Sequence, residues 1–488
     1  MDGYKILENN FEQYYQLNNV KILLEWDKYV NLPPESNFTF VDNIHALELA
    51  QNSLLKQDSI KNLIEKSENQ LIDQVQLRNL ALMKRVFEEL SLYPPKLEKD
   101  LLKSKTECEF LWRKAKEENN FKIVKDSLDA LIALTKEKAS IRAKWLKTTD
   151  YEALIDIYDP GQKLSDVKSK FKEVKEELLR IIGQSSIDEI NGMHLIDSRC
   201  NISDEHFYEL SKKISSYIGF NLAKGRIDKS SHPICWGYKG DVRITSSYNQ
   251  NNPITSLYAI IHEAGHGIYL QNLGEANKHQ PIGQFAGYAV HEAIALLYEA
   301  FIGRSDFFLD HLKNELGDSV KANETEFKKV IRKPYFSPIR IDCEPLIYML
   351  HVIMRFELEE KLFSNEINTS DIPELWNEYY FKYFNKRITN DRDGCLQDMH
   401  WYIGYFGYVP AYGMGMLFAA QLYNKLEELF QESLYGNEYF NTVKIWLTNN
   451  LFVHGSRYNF AELVNKSTGE NLSSSHYINM MKRAQSVR

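Results

Sequence analysis

The segment from Thr255 to Ile268 reads TSLYAIIHEAGHGI, and it determines how the surrounding chain is interpreted. Its apolar side chains recur at helical spacing and form one stripe, made of Leu257, Ile260, Ile261, Ala264 and Ile268. Ser256 or Thr255 can cap the start of this helix. Gly265 and Gly267 each cost a helix about 1 kcal/mol relative to alanine, so we expect them to let a neighbouring element approach the backbone closely. The segment therefore predicts a helix packed against a second element.

The same segment contains an HExxH pattern, formed by His262, Glu263 and His266. Residues i and i+4 lie on one face of a helix, so both imidazoles can reach one metal ion. Glu263 follows the first histidine and can contact a water beside the metal without binding the metal itself. The pattern predicts a zinc-dependent peptidase with Glu263 as general base. The alternative is two histidines that fall one turn apart by chance.

A catalytic zinc site needs a third protein ligand. The segment from Val290 to Glu299 reads VHEAIALLYE and offers His291, Glu292 and Glu299. A glutamate on a second, downstream helix is the usual arrangement with this motif, so Glu292 is the preferred ligand. Glu299 lies two turns further on nearly the same face. It is either a carboxylate that orients a ligand or an ordinary solvated side chain.

The composition indicates a soluble protein of a reducing compartment. The chain has 488 residues, 43% of them hydrophobic, and a net charge of -8 without a basic block, so nucleic acid is not an expected partner. The five cysteines are scattered and form no CxxC pair, which argues against disulfides. The N-terminus lacks a signal-peptide pattern, and the apolar stretch Tyr402–Ala420 is interrupted by glycines and Pro410. We therefore expect a cytoplasmic protein that does not span a membrane.

The rest of the chain favours a mostly α-helical fold. Helical spacing dominates residues 5–150, returns at 164–186 and continues from about 253 to the C-terminus. The clearest strand signal is Gly240–Thr245, which alternates and is β-branched. We expect one large helical unit over residues 1–488 with a small β-sheet near the metal site. Within it, residues 1–160 are expected to form a helical cap and cleft wall, and 161–488 the metal-bearing part.

Further motifs extend along nearly the whole chain. They are His232-Pro233, Asp241-Val242-Arg243-Ile244-Thr245, His291-Glu292, Ile339-Arg340 with the residues to Glu344, and Gly394 to Trp401, which reads GCLQDMHW. With the HExxH pattern, these segments resemble the motifs of the carboxypeptidase Taq family, peptidase family M32. The resemblance implies a helical, saddle-like fold with a deep cleft, often as a homodimer. It also implies removal of C-terminal residues from peptides, with Glu292 as the third zinc ligand.

Arginine suits recognition of a peptide's terminal carboxylate, because its planar fork donates two parallel hydrogen bonds. Arg340 and Arg243 are the arginines inside matching motifs, and Arg340 is preferred. The alternative for Arg340 is a structural ion pair with Asp342 or Glu344. Arg243 has the same alternative, since Asp241 points to the same strand face.

A developing oxyanion needs a hydrogen-bond donor near the metal. His400 is the first candidate, and Tyr405, Tyr408 and Tyr412 are alternatives, because a phenol donates equally well. His232 is expected either to line the cleft or to be structural. Further expectations concern residues without a direct catalytic role: Asp398 as an acceptor for a nearby histidine or amide, and His279 and His351 as structural histidines.

Three segments depart from the family's pattern. Ala293 replaces a serine, Cys343-Glu344 replaces Ala-Asp, and Val409-Pro410-Ala411-Tyr412 replaces Phe-Pro-Thr-Tyr. All three ligands and the base are retained, so we expect metal binding and hydrolysis to persist with an altered cleft. The leading hypothesis is a zinc carboxypeptidase, with Co²⁺ or Mn²⁺ as other possible ions. The alternatives are an oligoendopeptidase and a non-catalytic zinc protein that binds peptides.

Overall fold

The structure of the protein is a computed structural model that describes residues 3–33, 36–69, 73–183, 200–230, 232–251, 253–332, 336–430 and 436–486. Within these ranges the chain forms nineteen α-helices and one small sheet. The first nine helices precede the sheet: α1 Gly3–Val30, α2 Asn37–Leu55, α3 Asp58–Ser67, α4 Gln74–Glu89, α5 Pro95–Glu117, α6 Lys122–Leu146, α7 Asp150–Tyr158, α8 Leu164–Gly183 and α9 Asp204–Ile218.

The other ten helices follow the sheet. They are α10 Pro253–Gln271, α11 Tyr288–Leu296, α12 Asp306–Leu316, α13 Glu324–Arg332, α14 Pro345–Phe363, α15 Ile372–Phe384, α16 Val409–Phe430, α17 Gly436–Asn450, α18 Phe460–Thr468 and α19 Ser474–Ser486. Helix α11 continues as a π-helical turn, Leu297–Phe301, and then a 3-10 turn, Ile302–Arg304. The prediction of a mostly helical fold is confirmed.

The sheet has three strands, β1 Gly225–Lys229, β2 Ile234–Tyr238 and β3 Asp241–Ser246, in the order β1-β3-β2. β1 runs parallel to β3, and β2 runs antiparallel to it. Val242 and Ile244 of β3 are fully buried, and both β2 and β3 contact α10. The strand predicted over Gly240–Thr245 is therefore present, and the sheet lies against the helix with the HExxH pattern.

Two hydrophobic cores hold the described residues together. The larger one runs from Leu97 to Met481 and includes α10, α11, α14 and α16. The smaller one joins the first four helices and contains Tyr4, Leu7, Phe11, Leu55, Ile60, Ile64, Leu80 and Met83. The division between the cores falls in the chain between α4 and α5. The boundary at residue 160 between cap and catalytic part stays a prediction.

Helix α11 runs through the protein interior. The stretch Pro281–Arg304, which contains it, is the one described segment that is long and apolar enough by composition to cross a membrane. Of its apolar window, 72% is buried inside the fold. A buried core helix satisfies the same criterion, and this one carries a polar site residue, Glu292.

Two sequence predictions can be compared directly with helix bounds. The helix predicted around Thr255–Ile268 is α10, which extends a few residues further at both ends. The helix predicted over residues 164–186 is α8, which ends at Gly183, and residues 184–186 lie outside the described residues.

Candidate active site

Two buried helices meet at the HExxH pattern. Helix α10 carries His262, Glu263 and His266, and α11 carries Glu292. The helices approach closely at Gly265, where an added Cβ would lie 2.8 Å from the Cα of Ala295. This close approach confirms the role expected for that glycine. At Gly267 an added Cβ would instead meet the Phe220 ring at 2.5 Å.

Helix α16 packs on the other side of α11, and there too a glycine allows the close approach. A Cβ at Gly415 would lie 2.9 Å from the Cβ of Glu292 and 2.9 Å from the carbonyl oxygen of Ala289. The N-terminus of α11 is held by Asp159, whose Oδ1 accepts a 2.8 Å hydrogen bond from the Ala289 N–H. Packing and capping thus fix the backbone from which Glu292 projects.

The two histidines and Glu292 converge on one point. One ligand atom from each of the three residues lies within 4.8 Å of the others. Glu292 Oε2 is 3.7 Å from His262 Nε2 and 3.9 Å from His266 Nε2. Among the described residues, Glu292 Oε2 is buried without a hydrogen-bond partner. A buried carboxylate oxygen without a donor is costly, and a metal ion between the three atoms would satisfy it.

Both imidazoles are oriented by a second hydrogen bond. His262 Nδ1 lies 2.7 Å from Glu299 Oε2, and His266 Nδ1 lies 3.0 Å from the carbonyl oxygen of His291. A carboxylate and a carbonyl only accept, so Nδ1 carries the proton in each ring and Nε2 is left as the metal-binding nitrogen. Such outer partners are typical of metal-binding histidines. The donor set therefore fits a divalent zinc-like ion.

Without a cation, burial and neighbouring charges shift the pKa values of the ionisable groups at the site. Burial raises the pKa of Glu263 to about 7, and the charges of Glu292 and Glu299 act in the same direction while His262 opposes them. Burial alone would lower the pKa of His262, but the hydrogen bond and charge of Glu299 raise it to about 9. A cation among these residues would replace the proton on His262 and favour the ionised form of Glu263.

Tyr408 forms a hydrogen bond with the other carboxylate oxygen of Glu292, Oε1. Its hydroxyl donates a 2.7 Å hydrogen bond to Glu292 Oε1, and its ring stacks on His400 with centroids 5.6 Å apart. His400 Nε2 lies 3.2 Å from the Tyr412 hydroxyl, and His400 Nδ1 hydrogen-bonds to Asp398 Oδ1, as expected for an acceptor at that position. Tyr408 thus orients a ligand, while His400 and Tyr412 form a pair that can hold a proton beside it.

Arg340 lies next to this pair and is 5% exposed. Its Nε donates to Asp398 Oδ2 at 2.9 Å, its Nη2 lies 2.8 Å from the same oxygen, and its Nη1 donates to the Tyr348 hydroxyl at 3.0 Å. The Tyr412 ring lies 4.8 Å from its guanidinium. The ion pair considered from sequence exists, but its partner is Asp398 rather than Asp342 or Glu344. Contacts with the described residues engage three of its five N–H donors, and two remain for another acceptor.

Arg243 occupies a different environment. Its Nε and Nη2 pair with Asp241 at 3.0 and 2.7 Å, and its guanidinium lies 4.6 Å from the ring of buried Trp26 in α1. On β1, Arg226 lies over the same ring at 5.1 Å. These contacts fasten α1 to the sheet and favour the structural alternative for Arg243.

The other predicted residues divide between exposed and buried positions. His232 is exposed just before β2, and Tyr405, 42% exposed, lies 6.4 Å from the His400 ring. His351 is fully buried, with Nε2 3.4 Å from the Ser337 carbonyl, which agrees with a structural role. His279 has a buried Nδ1 without a partner among the described residues.

Three neighbours of the site were missed by sequence reasoning: Asp159, Tyr348 and Arg355. Asp159 directly follows α7, and the other two lie on α14, far along the chain from the HExxH pattern. No spacing rule links such residues to a metal site. Their only sequence signal is a polar or charged residue among apolar neighbours, as for Arg355 in VIMRF.

Comparisons with known proteins agree with this geometry. The family model described as carboxypeptidase Taq (M32) metallopeptidase matches residues 6–484. The chain is 29% identical to carboxypeptidase 1 of Bacillus subtilis over 487 residues, covering 95% of this chain and 94% of that protein. It is 28% identical to thermostable carboxypeptidase 1 of Thermus thermophilus over 488 residues, with the same coverage. The solved structure of Trypanosoma cruzi metallocarboxypeptidase 1 superimposes with a TM-score of 0.91 at 30% identity, covering 99% of both chains.

Proposed function

Because the chain belongs to the carboxypeptidase Taq (M32) metallopeptidase family, and is a metallocarboxypeptidase, we propose that it removes C-terminal residues from peptides with zinc held by His262, His266 and Glu292. The observation that carries the proposal is Glu292 Oε2, which is buried without a hydrogen-bond partner among the described residues and lies near Nε2 of both histidines. Nδ1 of each histidine is already engaged by another acceptor. Glu263 would then act as general base.

Zinc and Glu263 would have different roles in this reaction. When bound, zinc supplies Lewis acidity toward the scissile carbonyl and lowers the pKa of a water to about 7. Glu263, buried on α10 beside the ligands, takes a proton from the attacking water and delivers it to the leaving amine. Burial raises the pKa of Glu263 when no cation is present, and a bound cation would favour its ionised form, which is the form that accepts the proton.

The part of the site formed by Arg340, His400 and Tyr412 is suited to the substrate's terminus. Arg340 has two unengaged N–H donors and takes the terminal carboxylate in a bidentate manner. His400 and Tyr412 share a hydrogen bond there, and when His400 Nε2–H donates to the Tyr412 oxygen, the Tyr412 O–H donates to the developing oxyanion. Tyr405 and His232 line the approach, and Arg243 supports the sheet.

The general-base proposal is tested by Glu263→Gln, which removes the base and keeps the shape. We expect kcat to fall by about 10²–10⁴-fold, while zinc content stays near one per chain because the ligands are untouched. Metal analysis and peptide turnover measured on one preparation check both parts. Full turnover in this variant would refute the assignment of Glu263.

We also propose a cellular location, an oligomeric state and a set of metal ions for this protein. A reducing compartment such as the cytoplasm is supported by five cysteines that are all free thiols. A homodimer follows from family resemblance, and peptides are the only partners proposed, with neither nucleic acid nor a membrane surface. Cobalt or manganese could occupy a site with two histidines and one carboxylate.

A further inference from the structure

Two buried arginines share one carboxylate beside the metal site. Asp398 Oδ2 accepts from Arg340 Nε at 2.9 Å and also from Arg355 Nη1, while Asp398 Oδ1 faces His400. Arg340 and Arg355 are 5% and 4% exposed. A guanidinium stays charged in proteins, so one negative charge faces two fixed positive charges in a nearly dry environment.

A second buried carboxylate near Arg355 is held by other donors. Glu359 lies one turn after Arg355 on α14, but its oxygens accept from Trp401 at 2.6 Å, the Gly407 N–H at 2.9 Å and Tyr151 at 3.0 Å. No Arg355–Glu359 ion pair occurs among the described residues. Arg355 instead lies 5.3 Å from the Trp376 ring, and its Nε is buried without a partner in the part of the chain described.

The two arginines differ in position relative to the reaction centre. Arg340 contacts Tyr348 and Tyr412, which lie on the side of Glu292. Arg355 contacts the same oxygen of Asp398 and the Trp376 ring, and its hydrogen bonds and ring contacts among the described residues include neither tyrosine. An anion bound beside these tyrosines would therefore lie near Arg340, whereas Arg355 would act on it through Asp398.

We propose that Arg355 is a positioning residue that neutralises Asp398 from behind and so leaves Arg340 with a net positive charge for the substrate's terminal carboxylate. The inference rests on the proposed function, since it assumes that Arg340 receives this carboxylate. Without Arg355, Asp398 and Arg340 would form a neutral pair. The terminal carboxylate would then meet a guanidinium whose charge Asp398 already neutralises, and it would gain less from binding.

The test compares binding of an N-blocked dipeptide with a free carboxylate and of the same dipeptide as its C-terminal amide. Dissociation constants are measured by calorimetry in the Glu263→Gln background, where turnover is slow. Arg355→Met removes the charge at similar length, and Arg355→Lys keeps it. The matched control is Arg142→Met, because Arg142 is also 4% exposed and shares Asp156 with a second arginine, Arg85, away from the metal site.

We expect Arg355→Met to reduce the preference for the acid over the amide by about ten- to a hundredfold, mainly by weakening acid binding. Arg355→Lys should retain most of the preference. Arg142→Met should lower thermal stability and leave the preference unchanged. An unchanged preference in folded Arg355→Met would overturn this inference alone. A parent protein that binds acid and amide equally would instead contradict the proposed carboxylate recognition.

Discussion

At the scale of single residues, His262 is contacted by two glutamates from one continuous helical segment. Glu292 Oε2 lies 3.7 Å from its Nε2, and Glu299 Oε2 lies 2.7 Å from its Nδ1. Glu299 belongs to the π-helical turn that follows α11. π-Helical turns are rare and recur at functional sites, and this one brings a second carboxylate to the same imidazole.

Glu299→Ala should weaken metal binding without removing a ligand. Loss of the hydrogen bond to Nδ1 frees the ring to rotate and lowers its basicity, so we expect zinc affinity to fall by about 10–100-fold. Competition with a chromophoric chelator measures this directly. Glu299→Gln keeps an acceptor at the same place and should lose less. Equal zinc affinities for the parent protein and the Glu299→Ala variant would show that the contact is not used.

The sequence predicted the residues that follow a local spacing rule. His262 and His266 are one turn apart, and a downstream helix with a glutamate supplied Glu292 and, as an alternative, Glu299. Arg340 lies beside the His400–Tyr412 pair, and its pairing with Asp398 was not foreseen, because 58 residues separate them and no helical or strand period connects positions so far apart in the chain. Arg355 was missed for the same reason.

At the scale of elements, the site depends on how closely three helices pack. Gly265 of α10 and Gly415 of α16 both face α11, and each would bring a Cβ within 3 Å of its backbone or of Glu292. The sequence indicated close packing at Gly265, because glycine inside a helix needs a reason. It could not indicate which helix would approach.

Gly415→Ala should displace α11 and with it Glu292. The added Cβ would lie 2.9 Å from two atoms of α11, and overpacking of this kind costs about 1–3 kcal/mol. We expect a lower melting temperature and weaker zinc binding, measured by thermal unfolding and chelator competition. Gly183→Ala is the matched control, since a Cβ at the end of α8 meets nothing within 4 Å. If both variants behaved alike, packing at α11 would not control the site.

At the scale of the whole molecule, a buried charge cluster connects the two hydrophobic cores. Arg85 of α4 and Arg142 of α6 both contact Asp156 Oδ1 of α7, at 2.5 and 2.9 Å. Burial alone would raise the pKa of Asp156, but the charge and hydrogen bonds of Arg85, with Arg142, hold it below its ordinary value. Through Arg85, Arg142 and Asp156 the cluster thus links α4 with α6 and α7.

This cluster predicts that the free energy of unfolding falls in acid. A carboxyl whose folded pKa is depressed stabilises the protein above its unfolded pKa of about 3.9, and that stabilisation is lost as the pH falls through the lower folded pKa. We expect the free energy of unfolding by urea to drop between pH 5 and pH 3. Asp156→Asn should be less stable at pH 5 and show a smaller drop. A drop as large as that of the parent protein would assign the acid sensitivity to other groups.

The central claim is that one metal ion lies between His262, His266 and Glu292. Its most direct test is anomalous X-ray scattering at the zinc edge from crystals of the purified protein. We predict a single peak at about 2.0–2.2 Å from His262 Nε2, His266 Nε2 and a carboxylate oxygen of Glu292. A peak elsewhere with these three atoms left uncoordinated, or none in zinc-loaded active protein, would contradict it.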